Sequence, residues 1–108
     1  MDDTMRALYD TVLSRKSAHT EGSYTCYLFE KGLDKILKKC GEECSEVIIA
    51  AKNGNNSETV LEISDLLYHL TVLMVSQGIT LDEVKTELDK RSEKAGNLKT
   101  FHQVDKNS

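Results

Sequence analysis

The stretch Leu61-Glu62-Ile63-Ser64-Asp65-Leu66-Leu67-Tyr68-His69-Leu70-Thr71-Val72-Leu73-Met74-Val75 carries apolar residues on two faces at once. Ile63, Leu67, Leu70 and Met74 recur at helical spacing, and Leu61, Tyr68, Val72 and Val75 form a second stripe. A helix that is apolar nearly all round is buried or sandwiched between layers. The sequence predicts that this helix is capped by Ser57, runs to about Ser76 and is broken by Gly78. Too little chain remains to surround such a helix, so a dimer that shares it is the simplest arrangement. A compact monomeric bundle is the plainer alternative.

The flanking segments are also helical in pattern. Met5, Leu8, Tyr9, Val12 and Leu13 mark a first helix from about Asp2 to Ala18. His19 to Tyr24 has loop composition, and Tyr24 to Lys31 forms a short helix before Gly32. A long helix follows from about Leu33 to Lys52, with Leu33, Ile36, Leu37, Cys40, Cys44, Val47, Ile48 and Ala51 on its apolar stripe. Asn53-Gly54-Asn55-Asn56 stops it. Thr80-Leu81-Asp82-Glu83 matches a capping box and starts the last helix, which runs to about Glu93. No segment alternates like a strand. The expected fold is all-α, a bundle of four main helices over residues 1–94, followed by a polar tail over residues 95–108.

Composition narrows the function. The 108 residues carry a formal net charge of −4, which gives no general attraction to nucleic acid. The sequence predicts no membrane span, and the acidic Met1-Asp2-Asp3-Thr4 is not expected to be a secretory signal. Cys40 and Cys44 lie one helical turn apart on the apolar stripe, unsuited to an intrahelical disulfide, and are read as small core residues. With Cys26 far away and no CxxC, zinc is poorly supported. A cytoplasmic protein with reduced thiols is expected.

Two acidic motifs carry the chemistry. Glu43-Cys44-Ser45-Glu46, preceded by Glu42, lies on one helix, and Glu62-Ile63-Ser64-Asp65 lies on the next. Residues three or four apart share a helix face, so two packed helices would gather Glu43, Glu46, Glu62 and Asp65 around one point. Carboxylates that close call for a cation, and oxygen ligands suit Mg²⁺. An ExxD motif alone is usually a solvated face. Here Leu66 and Leu73 flank it, and a second acidic pair precedes it. Lys35 and Lys39 share the stripe of Glu43 and Glu46, either as a salt-bridge ladder or as contacts for phosphate oxygens. His69 is a substrate contact, an orienting group beside the metal, or a satisfied core histidine. Tyr68 is read as packing, and Lys38 and Arg91 as solvated. No GxxxxGK[ST] loop occurs.

Three runs together resemble a known family: Ser23-Tyr24-Thr25, then Lys35-Ile36-Leu37-Lys38-Lys39-Cys40-Gly41-Glu42-Glu43-Cys44-Ser45-Glu46, then Glu62-Ile63-Ser64-Asp65-Leu66-Leu67-Tyr68-His69-Leu70. The resemblance is to the phosphoribosyl-ATP pyrophosphatases of histidine biosynthesis, in the all-α, MazG-like nucleotide pyrophosphohydrolase superfamily. It covers about Leu8 to Arg91. The ExxE and ExxD pairs mark only the superfamily, whereas the other runs point to this family within it. Cys40 and Cys44 depart from the small or branched apolar residues usual there.

The resemblance implies Mg²⁺-dependent hydrolysis of phosphoribosyl-ATP to phosphoribosyl-AMP and pyrophosphate. It implies Mg²⁺ on Glu43, Glu46, Glu62 and Asp65, with one of these glutamates or Glu42 activating water. Lys35 and Lys39 would clamp the phosphate chain, and His69 would contact substrate. A homodimer is implied, and a separate cyclohydrolase would act on the product. The nearest rival is a house-cleaning NTP pyrophosphohydrolase of the same fold. A di-iron carboxylate bundle is disfavoured because His69 follows Asp65 by four residues, not three. A helical dimerisation module without catalysis is the remaining alternative.

Overall fold

A computed structural model describes residues 2–94 of the chain. The predicted polar tail over residues 95–108 lies outside the described residues. Among the described residues every regular element is a helix: α1 (Asp2–Ser17), α2 (Tyr24–Lys31), α3 (Leu33–Lys52), α4 (Asn56–Gln77) and α5 (Leu81–Lys94). The protein is all-α, with five helices where the sequence predicts four main ones and a short segment.

Local chemistry sets the helix ends. The Ser23 side chain accepts from the Cys26 amide at 3.2 Å and caps α2. Gly32, at φ 94°, turns the chain from α2 into α3, and its amide donates to the Leu28 carbonyl at 3.0 Å. At the start of α4, Asn55 is the cap in place of the predicted Ser57. Its side-chain oxygen accepts from the Glu58 amide at 3.0 Å, which leaves Ser57 inside the first turn. Asparagine caps as well as serine does, so composition alone does not choose between them. Gly78, at φ 73°, closes α4 with the Ile79 amide donating to the Met74 carbonyl at 2.8 Å. The capping box of α5 forms as predicted. The Thr80 amide donates to Glu83 at 2.9 Å, and the Glu83 amide donates to the Thr80 hydroxyl at 3.1 Å.

The helices pack around α4. Its most extensive partner is α3, and α1 crosses its other side. α2 fits between α1, α3 and α4. The core is small: Tyr9 and Val12 from α1, Leu28 from α2, Ile36 from α3, and Val72 and Val75 from α4. Each fully buried side chain of this size contributes roughly 1.5–3 kcal/mol by leaving water. The Tyr9 hydroxyl donates to the Ile79 carbonyl at 2.8 Å and ties α1 to the end of α4.

Two features of burial bear on the sequence reading. α4 is only partly covered within a single chain, and Val60, Leu61 and Ile63 are exposed. Cys44 is exposed rather than in the core, whereas Cys40 packs against the core cluster. The apolar stripe of α3 is wider than the surface its neighbours cover, so Leu37, Cys44 and Ile48 on it face solvent. α4 is also long and apolar enough to cross a membrane by length and composition, contrary to the sequence expectation. Its pairing with α3 and its acids Glu62 and Asp65 suit a core helix, since each acid at a bilayer centre costs roughly 2.5–3.5 kcal/mol.

Candidate metal centre

α3 and α4 run side by side, and each turns one acidic stripe towards the other. The carboxylate oxygens of Glu43, Glu62 and Asp65 all lie within 4.8 Å of one another. They open into a cavity of about 440 Å³ that Lys39, Glu42, Ser45 and Glu46 also line. Of the four ligands predicted from sequence, three therefore converge. Glu46 borders the same cavity from an exposed position one turn further along α3.

The three residues differ in burial. Glu43 is only 8% exposed, Glu62 is partly exposed and Asp65 is exposed. A buried carboxylate needs a compensating charge. The Lys39 ammonium supplies part of it, 3.6 Å from Glu43 and 3.5 Å from Glu42. Both separations lie at or beyond the long end of the hydrogen-bond range, so these contacts hold Lys39 weakly. The Glu62 carboxyl is pushed above its usual range, first by desolvation and then by the charges of Glu43, Glu46, Asp65 and Glu58. That repulsion is what a cation between the helices would relieve.

The donor set fits a hard divalent ion. Oxygen ligands around octahedral Mg²⁺ sit about 2.0–2.1 Å from the metal, and so roughly 3–4 Å from each other. The observed spacing, within 4.8 Å, approaches that range. No cysteine belongs to this group, and Cys26 is buried elsewhere, its Sγ 3.3 Å from the Thr20 amide.

Beside the acids lies an aromatic and histidine cluster. His69 is 5% exposed. Its Nδ1 lies 2.8 Å from the Asp65 carbonyl, and its Nε2 lies 3.1 Å from the Tyr24 hydroxyl. A carbonyl can only accept, so Nδ1 carries the proton. In the neutral ring Nε2 then accepts from Tyr24. The Thr25 hydroxyl is hydrogen-bonded to the Tyr68 hydroxyl. The Tyr68 ring meets His69 edge-on at 4.9 Å and stacks with Tyr24 at 6.2 Å. Tyr68 is thus more than packing. Burial raises the Tyr24 phenol above its usual range, and nearby Lys39 works against that rise.

The predicted lysines separate. Lys39 lines the acidic cavity. Lys35 does not; its ammonium lies over the Tyr27 ring, 6.0 Å from the centroid. Sequence spacing missed Tyr24 and Tyr27 as neighbours of the site. The only signal for Tyr24 is the Ser23-Tyr24-Thr25 run, since its partner lies 45 residues away.

Known proteins are similar to this chain in sequence. Residues 5–92 match the family model described as phosphoribosyl-ATP pyrophosphohydrolase. The chain is similar to a phosphoribosyl-ATP pyrophosphatase of Clostridium novyi (strain NT), with 53% identity over 97 residues, which covers 90% of this chain and 88% of that one. A phosphoribosyl-ATP pyrophosphatase of Limosilactobacillus fermentum is 60% identical over 87 residues, covering 81% of this chain and 82% of that one. A histidine biosynthesis bifunctional protein of Caldanaerobacter subterraneus is 53% identical over 92 residues, which are 85% of this chain and 45% of the longer protein.

Proposed function

This chain belongs to the phosphoribosyl-ATP pyrophosphohydrolase family, and on that premise we propose how it works. It hydrolyses phosphoribosyl-ATP to phosphoribosyl-AMP and pyrophosphate in histidine biosynthesis. The reaction depends on Mg²⁺ and takes place in the cavity between α3 and α4. The observation that supports this reading is the approach of Glu43, Glu62 and Asp65 within 4.8 Å.

Glu43, Glu62 and Asp65 would hold the ion, and Glu46 would complete its surroundings from the cavity edge. When bound there, Mg²⁺ would supply positive charge to phosphate oxygens and to the charge that develops on them. The side chains supply the rest. Cleavage of the anhydride between the α and β phosphates needs a water aligned with that bond and a base to take its proton. Glu46 lines the cavity and forms no ion pair among the described residues, so its carboxylate is the better base. Glu42 shares Lys39 with Glu43 and is less suited. Lys39 is loosely held and can move from the two glutamates to a phosphate oxygen. His69, fixed by Asp65 and Tyr24, holds the wall of the cavity in place.

Two further parts of the reading rest on pattern. The exposed apolar face of α4 supports a homodimer, and unpaired thiols suit a cytoplasmic location. The deciding experiment measures pyrophosphate release from phosphoribosyl-ATP with Mg²⁺ and with EDTA, for wild type and Glu46→Gln. Release that needs Mg²⁺ and is lost in the variant is expected. Faster release from an ordinary NTP would move the protein to the house-cleaning branch.

A further inference from the structure

We propose that Tyr24, Tyr27, Lys31 and Lys35 form a second binding region that takes the purine and the phosphoribosyl end of the substrate. The proposal rests on the reading of the acidic cavity as the site of phosphoanhydride cleavage. The substrate has two anionic ends, a triphosphate and a separate sugar phosphate, with a purine between them. A metal site accounts for only the first end.

The surface beside the acidic cavity matches the remainder. Tyr24 and Tyr27 are 44% and 39% exposed, although both are large aromatic residues. Their rings stack with centroids 6.0 Å apart and planes 24° apart. Tyr24 also stacks with Tyr68 and contacts His69, which is hydrogen-bonded to the backbone of Asp65 in the cavity lining. Half-exposed tyrosine rings offer a purine a face to stack on without a large entropy cost.

The charges are sorted along the same line. The ammonium groups of Lys31 and Lys35 lie over the Tyr27 ring, 5.8 and 6.0 Å from its centroid. Neither forms an ion pair with a carboxylate among the described residues, although the chain carries a net charge of −4. Lys39 stands between them and the acids. On α3, Lys35 precedes Glu43 by eight residues, or about 12 Å of helix at 1.5 Å per residue. That separation leaves room for the purine and its ribose between the two anionic ends. Two cations held over an aromatic ring, free of carboxylate partners, suit a phosphate monoester.

This arrangement would distinguish phosphoribosyl-ATP from ATP, because only the former has a group for Lys31 and Lys35. The test compares binding of phosphoribosyl-AMP and AMP by titration calorimetry with Mg²⁺ present, for wild type, Lys31→Gln/Lys35→Gln and Lys31→Arg/Lys35→Arg. Pyrophosphate release from phosphoribosyl-ATP is measured for the same proteins. Wild type is expected to prefer phosphoribosyl-AMP. The glutamine variant should lose about tenfold or more of that preference and raise KM similarly, with AMP affinity unchanged. The arginine variant should keep most of the preference. Circular dichroism checks that both variants are folded. An active wild type with an unchanged preference in the glutamine variant would overturn this inference alone. A wild type that releases no pyrophosphate would overturn both it and the reading beneath it.

Discussion

The imidazole of His69 and the hydroxyl of Tyr24 meet at 3.1 Å across a gap of 45 residues. The other ring nitrogen of His69 is fixed on the Asp65 carbonyl, at 2.8 Å. One hydrogen-bonded chain thus runs from α2 through a buried histidine to the backbone of an acidic residue. Thr25 and Tyr68 make a second link between the same two helices. Two short runs in the sequence, Ser23-Tyr24-Thr25 and Tyr68-His69, therefore lock together.

Removing the first link should cost stability. Tyr24→Phe keeps the ring and its stacking but leaves Nε2 of His69 without its donor. The expected loss is about 1 kcal/mol for a net hydrogen bond of this kind. For a domain of this size that corresponds to a fall in Tm of roughly 4–8 °C, read by thermal unfolding. An unchanged Tm would mean that water replaces the hydroxyl without loss.

Glu62→Gln should act in opposite directions on stability and on activity. Replacing one anion in a crowded set removes both the desolvation and the repulsion that raise its pKa. The metal-free variant should be at least as stable as wild type in EDTA. Its rate of pyrophosphate release should fall by at least about a hundredfold, the scale of losing an electrostatic contact to the transition state. Wild type should gain Tm on addition of Mg²⁺, and the variant should gain much less. A variant destabilised in EDTA would show that Glu62 is held by partners rather than opposed by neighbours.

The helices themselves were legible because they are local. Apolar spacing gave α1, α3 and α4, and the Thr80–Glu83 box gave the start of α5. The acidic cavity was legible for the same reason, since three-residue spacing puts each pair on one face of its helix. What spacing cannot supply is how far along each other two helices sit. That offset brings Glu43 opposite Glu62 and Asp65 and leaves Glu46 at the edge. Nor does spacing show how much of a stripe the neighbours cover: Cys44 is exposed on the same stripe as buried Ile36. Tyr24 as the partner of His69 depends on packing between α2 and α4, which no local pattern encodes.

The metal-free protein should show opposite pH trends on the two sides of 4.5, the ordinary glutamate value. The Glu62 carboxyl is raised in the fold, so the native state binds its proton more tightly than the unfolded chain does. Its contribution to stability is fully present below 4.5 and is lost as pH rises through the folded value. Glu83 is lowered by its bonds to the Thr80 amide and hydroxyl. Its contribution is present above 4.5 and is lost as pH falls through the folded value. In EDTA, Glu62→Gln should flatten the decline above 4.5, and Glu83→Gln should flatten the decline below it. Mg²⁺ should reverse the upper trend, because the ion competes with the proton for the same oxygens. Thermal unfolding on both sides of pH 4.5 reads all of these changes, and identical profiles for wild type and Glu62→Gln would refute the first.

The proposed homodimer would make direct use of α4. Leu70 is 36% exposed and lines an apolar groove between α1, α4 and α5 with Leu67, Met74, Leu81 and Leu88. Leu88 is itself 60% exposed. α5 has no extensive packing partner among the described residues, and its capping box and the 2.8 Å Arg6–Asp82 ion pair hold only its first turn. A second chain laid over this groove would cover α5 and the outer face of α4 together. Sedimentation equilibrium should therefore give twice the 12.1 kDa of one chain. Leu70→Glu places a charge on the covered face but outside the core, so the single chain should stay helical while the dimer dissociates. Loss of the dimer should also loosen α5, which hydrogen exchange would show as faster exchange after Leu81. A wild type that sediments as a single chain at micromolar concentration would rule out this use of the groove.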